Sequence, residues 1–281
     1  KLIKTDLTNY KKIYSDLKIY KPDLIFHFAS NADVRYSFEN PVYYASNNNM
    51  VTVNLLEAVR KLKLKSLIII VSTSEVYGSV SKKDIPLNEN QKFSPANPYA
   101  ASKAYQDLIS QIYQKSFNMN IIITRMFSYT NARRTNLFQT SFANQIIDII
   151  DKKNKVLKHG NLKSIRTFLD IDDAMNAYWL TAKKGKVGEI YNIGGDKIIS
   201  VNQFLNKLKH FSKINISTEL DKNLLRPNDV TLQITKSRKF RKHTGWRPKI
   251  SFNLSVKKLL VECRWLKKNF IDYRKIGRVK I

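Results

Sequence analysis

The sequence predicts an α/β protein with a buried parallel sheet. Three apolar runs carry that reading: residues 23–30, 67–71 and 121–127. Each is short, rich in Ile, Leu or Phe and not alternating, as strands covered on both faces are. Segments with helical patterning separate them, and strand–helix alternation favours parallel pairing. Beyond residue 129 the alternation loosens, which points to a second, smaller α/β region.

Local signals then place the elements in order. Asn40-Pro41 opens a long helix, because proline is tolerated in a first turn, with Val51, Val53, Leu55, Leu56, Ala58 and Val59 on its apolar side. The run 67–71 ends at Ser72 and continues as Thr73-Ser74-Glu75-Val76-Tyr77-Gly78. A polar loop, 82–97, leads to Asn97-Pro98, which opens the helix of Tyr99 and Lys103. Asp172 and Asp173 read as caps at a helix start, where acids complement the dipole. Glu189-Ile190-Tyr191-Asn192-Ile193-Gly194-Gly195 reads as a strand and turn. Ser200 N-caps an amphipathic helix bearing Val201, Phe204 and Leu208. In Thr244-Gly245-Trp246-Arg247-Pro248, the Trp is expected to cover the core and the Pro to end a helix. A final helix is expected over residues 251–270, with Cys263 as a buried small hydrophobe.

Composition excludes several classes. With 43% hydrophobic and 26% charged residues, the 281-residue chain has the balance of a soluble globular protein and enough length for a sizeable core. Its apolar runs are too short to span a bilayer, and no secretory signal opens it, so a cytoplasmic, membrane-free location is expected. One Cys rules out an intramolecular disulfide, and four scattered His add no recognisable metal set. The net charge of +28 is extreme. Lysines nevertheless recur in almost every helix, with the densest groups at 236–242 and 274–280. That spread reads as compositional bias suited to an anionic small-molecule substrate, so nucleic acid is not the expected partner.

The chemistry-bearing residues lie after the second apolar run. Tyr99 and Lys103 stand four residues apart on one helix and therefore share a face. A lysine ammonium beside a phenol favours the phenolate. Such a phenol can take the proton of a hydroxyl while hydride leaves the same carbon. Glu75, with no Lys or Arg in its own segment, is a candidate second base.

A strand, then Ser72-Thr73-Ser74-Glu75-Val76-Tyr77-Gly78, then Pro98-Tyr99-Ala100-Ala101-Ser102-Lys103, resembles the extended short-chain dehydrogenase/reductases, the NAD-dependent epimerase/dehydratase family. Within it, the Thr-Ser-Glu-x-Tyr-Gly segment is similar to the GDP-mannose 4,6-dehydratase type. The resemblance implies a Rossmann-type, doubly wound parallel sheet with a smaller C-terminal α/β substrate domain. It places the NAD(P)-binding part at 1–129, with 168–195 returning to it, and the nucleotide-sugar-binding part mainly at 130–281. It implies Thr73, Glu75, Tyr99 and Lys103 as the catalytic set. It implies NADP, with NAD the other choice, as a cofactor bound by Asp6, Phe28, Ala29, Ser30, Tyr99 and Lys103. The family's glycine-rich phosphate turn would precede Asp6, and no G-x-x-G-x-x-G occurs here. The chain is therefore expected to lack about 50 to 60 residues of a typical doubly wound first half.

On the substrate side the resemblance points to Ser37, with Arg35 beside it, and to Arg133 and Arg134, a pair suited to a diphosphate. It also points to Arg166, and to Arg226 and Asp229 of an Arg-Pro-x-Asp-Val match. Relatives carry Phe-Asn after the third run, whereas this chain has Phe127-Ser128. The implied activity is a lyase reaction, GDP-mannose to GDP-4-keto-6-deoxymannose, by a homo-oligomer. A GDP-4-keto-6-deoxymannose reductase, a UDP-sugar 4-epimerase or a dehydratase of another GDP-sugar stay open. From other classes, so do an inactive fragment and a nucleotide- or nucleic-acid-binding protein.

Overall fold

A computed structural model describes residues 1–269. In chain order the elements are α1 (Tyr10–Tyr20), β1 (Leu24–His27), α2 (Val34–Glu39), α3 (Pro41–Lys61), β2 (Leu67–Thr73), α4 (Pro98–Phe117), β3 (Ile121–Met126) and α5 (Phe138–Ile150). There follow β4 (Val156–His159), β5 (Ile165–Phe168), α6 (Ile171–Lys184), β6 (Ile190–Ile193), β7 (Lys197–Ser200), α7 (Val201–Ser212), β8 (Ser217–Leu220), β9 (Leu232–Gln233), α8 (Arg238–Thr244) and α9 (Phe252–Lys268). The basic group at 274–280 and the end of the expected final helix lie outside the described residues. No helix among the described residues is long and apolar enough to cross a membrane.

The chain divides into two compact units. The first comprises Lys1–Met126, Asn176–Ile193 and Ser237–Trp246. Its sheet has the order β1-β2-β3-β6, and every pairing is parallel. Ile68, Ile69 and Ile70 are all fully buried, so both faces of β2 are covered, as its unbroken apolar run requires. Leu55, Leu56, Ala58 and Val59 of α3 pack with Ile68, Ile70, Ile121 and Ile123 of the sheet. Register sets Ser72 beside Arg125 and Thr73 beside Met126.

Past β2, residues Ser74–Tyr77 form one tight helical turn that ends at Gly78. Gly78 has φ +61°, and a Cβ there would stand 1.5 Å from the Ser94 carbonyl oxygen, so only glycine fits. At the end of α8 the stop signal is Gly245, with φ +72°, and not the proline three residues later. Trp246 is buried, with its ring 5.5 Å from that of Phe240, in the covering role expected of it.

The second unit comprises Phe127–Met175, Gly194–Lys236 and the described residues from Arg247 onward. It holds a three-stranded sheet, β7-β5-β9, and a two-stranded pair, β4-β8. Phe142, Phe168, Phe204, Leu208, Val256 and Leu259 form its core, with Cys263 buried among them. Burial in that apolar setting pushes the Cys263 thiol up to about 12. Ser200 caps α7 with a reciprocal capping box to Gln203. The acids at the start of α6 differ from expectation. Asp170 is the cap, since its Oδ1 accepts from the Asp172 amide at 3.0 Å. Asp173 instead accepts from the Lys249 and Ile250 amides, and Asp172 pairs with Lys258. Both still sit in the first turn, where the dipole favours them.

Candidate functional site

In the first unit the expected catalytic residues occupy the end of β2, the turn past it and the first two turns of α4. Asn97 joins them. Its side-chain oxygen caps α4 by accepting from the Ala100 amide at 2.7 Å, while its amide nitrogen donates to Glu75 Oε2 at 3.3 Å. One buried side chain thus starts the helix of Tyr99 and Lys103 and ties the candidate base to it. Thr73 and Glu75 are half-buried, and the Thr73 hydroxyl accepts from the Glu75 amide at 3.3 Å. Tyr99 is buried along its ring, edge-on to Tyr44 with centroids 6.4 Å apart.

Lys103 is only 4% exposed and donates to the Val71 carbonyl at 2.5 Å, at the end of β2. Desolvation pulls its ammonium down to about 8, opposed by the charge of Asp107. Ser102, between Tyr99 and Lys103, donates to the Tyr99 carbonyl and accepts from Asn48 at 2.9 Å. Asn48 on α3 also accepts from the Asn31 amide at 2.7 Å and donates to the Asn31 carbonyl at 3.0 Å. The loop after β1 is therefore fixed to the same helix pair. Neither Asn97 nor Asn48 is marked as functional by sequence. Asn97-Pro98 shows the cap, but the second hydrogen bond of the same amide is a tertiary event. Asn48 is hidden in the run Asn47-Asn48-Asn49.

The expected cofactor residues are distributed around β1. Phe28 is half-exposed at its end, its ring 5.1 Å from Tyr178 and edge-on. Ala29 and Ser30 are half-buried in the loop that Asn48 holds. Asp6 is exposed, and its Oδ1 accepts from the Thr8 amide and hydroxyl. Arg35 and Ser37 lie on α2. Ser37 is fully buried and donates to the Val34 carbonyl at 2.6 Å.

His27 is a structural residue. It is buried, its Nε2 is 2.8 Å from the Thr52 hydroxyl, and desolvation, then the charge of Lys103, pulls it down to about 3. A group depressed on folding contributes stability that is present above its ordinary value and lost as pH falls. The expected loss begins below about pH 6.5 and grows by about 1.4 kcal/mol per pH unit until about pH 3. Urea unfolding of wild type and His27→Gln at pH 6.5 and 4.5 checks this. The wild type should lose about 2 to 3 kcal/mol more than the variant, and parallel losses would refute it.

In the second unit, Arg226 and Asp229 come together, with Nη1 to Oδ1 at 3.7 Å. Asn161 donates to Asp229 at 2.7 Å and Ser164 at 3.3 Å. Arg166 on β5 is buried and donates to the Gln233 side chain and to the Val230 carbonyl at 3.1 Å. Arg133 is exposed and Arg134 half-buried, in the loop that precedes α5. α5 begins at Phe138, and its N-cap residue, Leu137, supplies no side-chain cap.

Comparison with known proteins follows this geometry. The family model described as GDP-mannose 4,6 dehydratase matches residues 1–259. Human dTDP-D-glucose 4,6-dehydratase is 29% identical over 285 residues, covering 96% of this chain and 79% of that protein. A solved structure of RMD from Pseudomonas aeruginosa complexed with NADPH superposes with TM-score 0.86 at 23% identity, covering 94% of this chain and 88% of that one. UDP-glucuronic acid 4-epimerase from Bacillus cereus, in complex with UDP-glucuronic acid and NAD, gives TM-score 0.84 at 26% identity over 94% and 81%. With the match extending through both units, this chain belongs to the GDP-mannose 4,6 dehydratase family, among the Rossmann-type short-chain dehydrogenase/reductases that act as dehydratases, epimerases and reductases of nucleotide sugars.

Proposed function

We propose that this protein is a nucleotide-sugar 4,6-dehydratase that converts GDP-mannose to GDP-4-keto-6-deoxymannose with bound NADP. The observation that carries the reading is Glu75 tethered by Asn97 to the start of the Tyr99–Lys103 helix. Removing a proton from carbon needs a carboxylate fixed beside the oxidation site, whereas hydride transfer alone does not.

Tyr99 takes the proton of the C4 hydroxyl, and Thr73 hydrogen-bonds the C4 oxygen. Lys103, one turn further along the same helix, would favour the phenolate through its ammonium. The 4-keto group acidifies C5, Glu75 removes that proton and passes it to the C6 hydroxyl, which departs as water, and the proton held by Tyr99 goes back to C5 when C6 is reduced. Bound NADP would supply the hydride acceptor for C4 and the hydride donor for C6, and would be regenerated in each turnover. The donor set fits such a group. Lys103 spends one N–H on Val71 and has others to offer, and the Ser72 hydroxyl is buried with no protein partner among the described residues. Asp6, Phe28, Ala29, Ser30, Tyr99 and Lys103 would hold it. Arg133, Arg134, Arg166 and Arg226 are proposed for the nucleotide diphosphate, and Asp229 for donors of the ribose or guanine. Homo-oligomerisation and a cytoplasmic setting go with this reading by resemblance to the family.

The test is turnover of the full-length protein with GDP-mannose and catalytic NADP. A 4-keto-6-deoxy product without net cofactor consumption supports the reading. NADPH oxidation with GDP-4-keto-6-deoxymannose instead would make the protein a reductase, and turnover of dTDP-glucose alone would keep the chemistry and change the substrate.

Asn97 separates fold from chemistry. Asn97→Asp keeps an acceptor for the Ala100 amide but replaces the N–H donor to Glu75 with a second carboxylate, which repels the charged base. Thermal stability should stay close to wild type, while turnover falls at neutral pH and recovers as pH rises. Asn97→Ala should lose about 1 kcal/mol of stability with the cap. Equal turnover in Asn97→Asp and wild type across the pH range would count against the tether.

A further inference from the structure

The fold of the first unit gathers lysines that look scattered in the sequence. All four strands of its sheet run parallel, so the connections that enter them lie along one edge. Hydrogen bonds set these connections side by side. The Leu67 amide donates to the Asp23 carbonyl at 2.8 Å, and the Asn120 side chain donates to the Lys65 carbonyl at 3.1 Å. The Gly188 amide donates to the Ile121 carbonyl at 2.8 Å. Residues 18–23, 61–66, 115–120 and 183–189, which lead into β1, β2, β3 and β6, hold nine lysines and two acids. All nine lysines are exposed. One of the acids, Glu189, already pairs with Lys239 at 3.0 Å.

The other ends of the strands differ. The six residues that follow each of β1, β2 and β3 contain no lysine or arginine. A bias of composition alone would load both ends. The helix dipole accounts for Lys18, Lys115 and Lys184 in last turns, but it fades within that turn and does not account for Lys65 or Lys186, beyond the helix ends. Apolar side chains stand out beside this charge. Ile19, in the last turn of α1, is 70% exposed, and Val187, next to Lys186, is 50% exposed.

We propose that this edge is a peripheral membrane contact, docking on an anionic lipid bilayer with its lysines at the headgroups and Ile19 and Val187 entering the acyl boundary. A charged bilayer attracts ammonium groups as point charges and asks no fixed geometry of them. Gripping the phosphates of a nucleic acid is better done by the planar fork of arginine, and the neighbouring Arg60 is committed to Glu57 at 2.6 Å and lies over the Phe117 ring. Exposed aliphatic groups gain burial at a bilayer and nothing from a phosphate backbone. A contact of this kind lies in the plane of the surface, so apolar runs too short to span do not bear on it. β2 carries the chain seven residues from this edge to Thr73, roughly 20 Å, which turns the Thr73 end of the sheet away from the bilayer. The proposal goes beyond the sugar-nucleotide reading and does not depend on it.

The test is co-sedimentation of the full-length protein with vesicles of phosphatidylcholine alone and of equal parts phosphatidylcholine and phosphatidylglycerol, with thermal unfolding alongside. Wild type should bind the anionic vesicles, leave them at high salt and ignore the neutral ones. Lys21 and Lys63 have φ +40° and +52°, where glycine is at ease, so Lys21→Gly with Lys63→Gly removes two charges while the unfolding temperature holds or rises. Each lysine at an anionic surface is worth about fivefold, so this pair should weaken binding by about 25-fold. Lys152→Gly with Lys213→Gly is the matched control, since both lysines are exposed in the second unit at φ +57° and +56°, and it should bind nearly as wild type does. Ile19→Ser should weaken vesicle binding and leave any binding to poly(U) unchanged. Equal losses in the two double variants would overturn the proposal, because net charge and not this edge would then be the cause. So would equal binding to neutral vesicles, undiminished binding by Ile19→Ser, or no binding to anionic vesicles. Binding of poly(U) that depends on Lys21 and Lys63, without vesicle binding, would assign the edge to nucleic acid instead.

Discussion

Replacing Tyr99 with phenylalanine is expected to lower turnover by about 10²- to 10⁴-fold, the usual worth of a positioned general acid–base group. The substitution isolates the hydroxyl. The Tyr99 ring is buried and edge-on to Tyr44, and phenylalanine keeps that ring contact. Asn97 still caps the helix, and Ser102 still binds the backbone carbonyl at position 99. The loss should therefore fall on kcat, with sugar-nucleotide affinity and unfolding temperature close to wild type. Steady-state kinetics with calorimetry on the same preparation distinguishes this from misfolding. Lys103 adds a pH signature. Its ammonium lies near 8 because burial disfavours the charge, so raising pH through that value removes the cation that favours the phenolate. Turnover should decline above about pH 8, and a profile flat to pH 10 would separate Lys103 from the chemistry. Folding carries the opposite sign. The burial cost is fully present below about 8 and relieved toward 10.5, so stability from this group rises where activity falls.

What the sequence shows of this site is what short range determines. The isoleucine run of β2, the Pro at the start of α4 and the four-residue spacing of Tyr99 and Lys103 are local facts, and each leads to the element found. The Ser200–Gln203 box is equally local. The links that hold the site together are not local. Glu75 and Asn97 are 22 residues apart, and Asn48 reaches Ser102 across 54. No periodicity records such pairs, because a single Asn looks alike whether it caps, bridges or faces water. The misplaced roles have the same origin. Asp173 has the look of a dipole-complementing acid, but two backbone amides 76 and 77 residues onward claim its carboxylate. Family resemblance supplied the site residues that local rules could not.

The largest stability effect is expected at Asp107. Its carboxylate takes two hydrogen bonds from Arg125, Nε to Oδ2 at 2.9 Å and Nη2 to Oδ1 at 3.0 Å, with both side chains almost wholly buried. The remaining nitrogen of Arg125 donates to the Tyr77 hydroxyl at 2.9 Å and the Glu89 carbonyl at 2.8 Å. Tyr77 in turn donates to Asn192 at 2.7 Å. Asp107→Ala strands the guanidinium in a dry interior and should cost about 3 to 5 kcal/mol in urea unfolding. A loss under about 1 kcal/mol would mean that water or a shifted neighbour neutralises the charge. The double variant Asp107→Leu with Arg125→Met tells stability from positioning. Replacing a whole buried ion pair by apolar groups is often close to neutral, so it should recover most of the lost stability. It cannot recover the hold on Tyr77, which closes the same tight turn that carries Glu75. Turnover in the double variant should stay well below wild type although its fold is restored. Full recovery of both would show that the Glu75 turn is held by its own backbone and by Asn97, with the ion pair serving the fold alone.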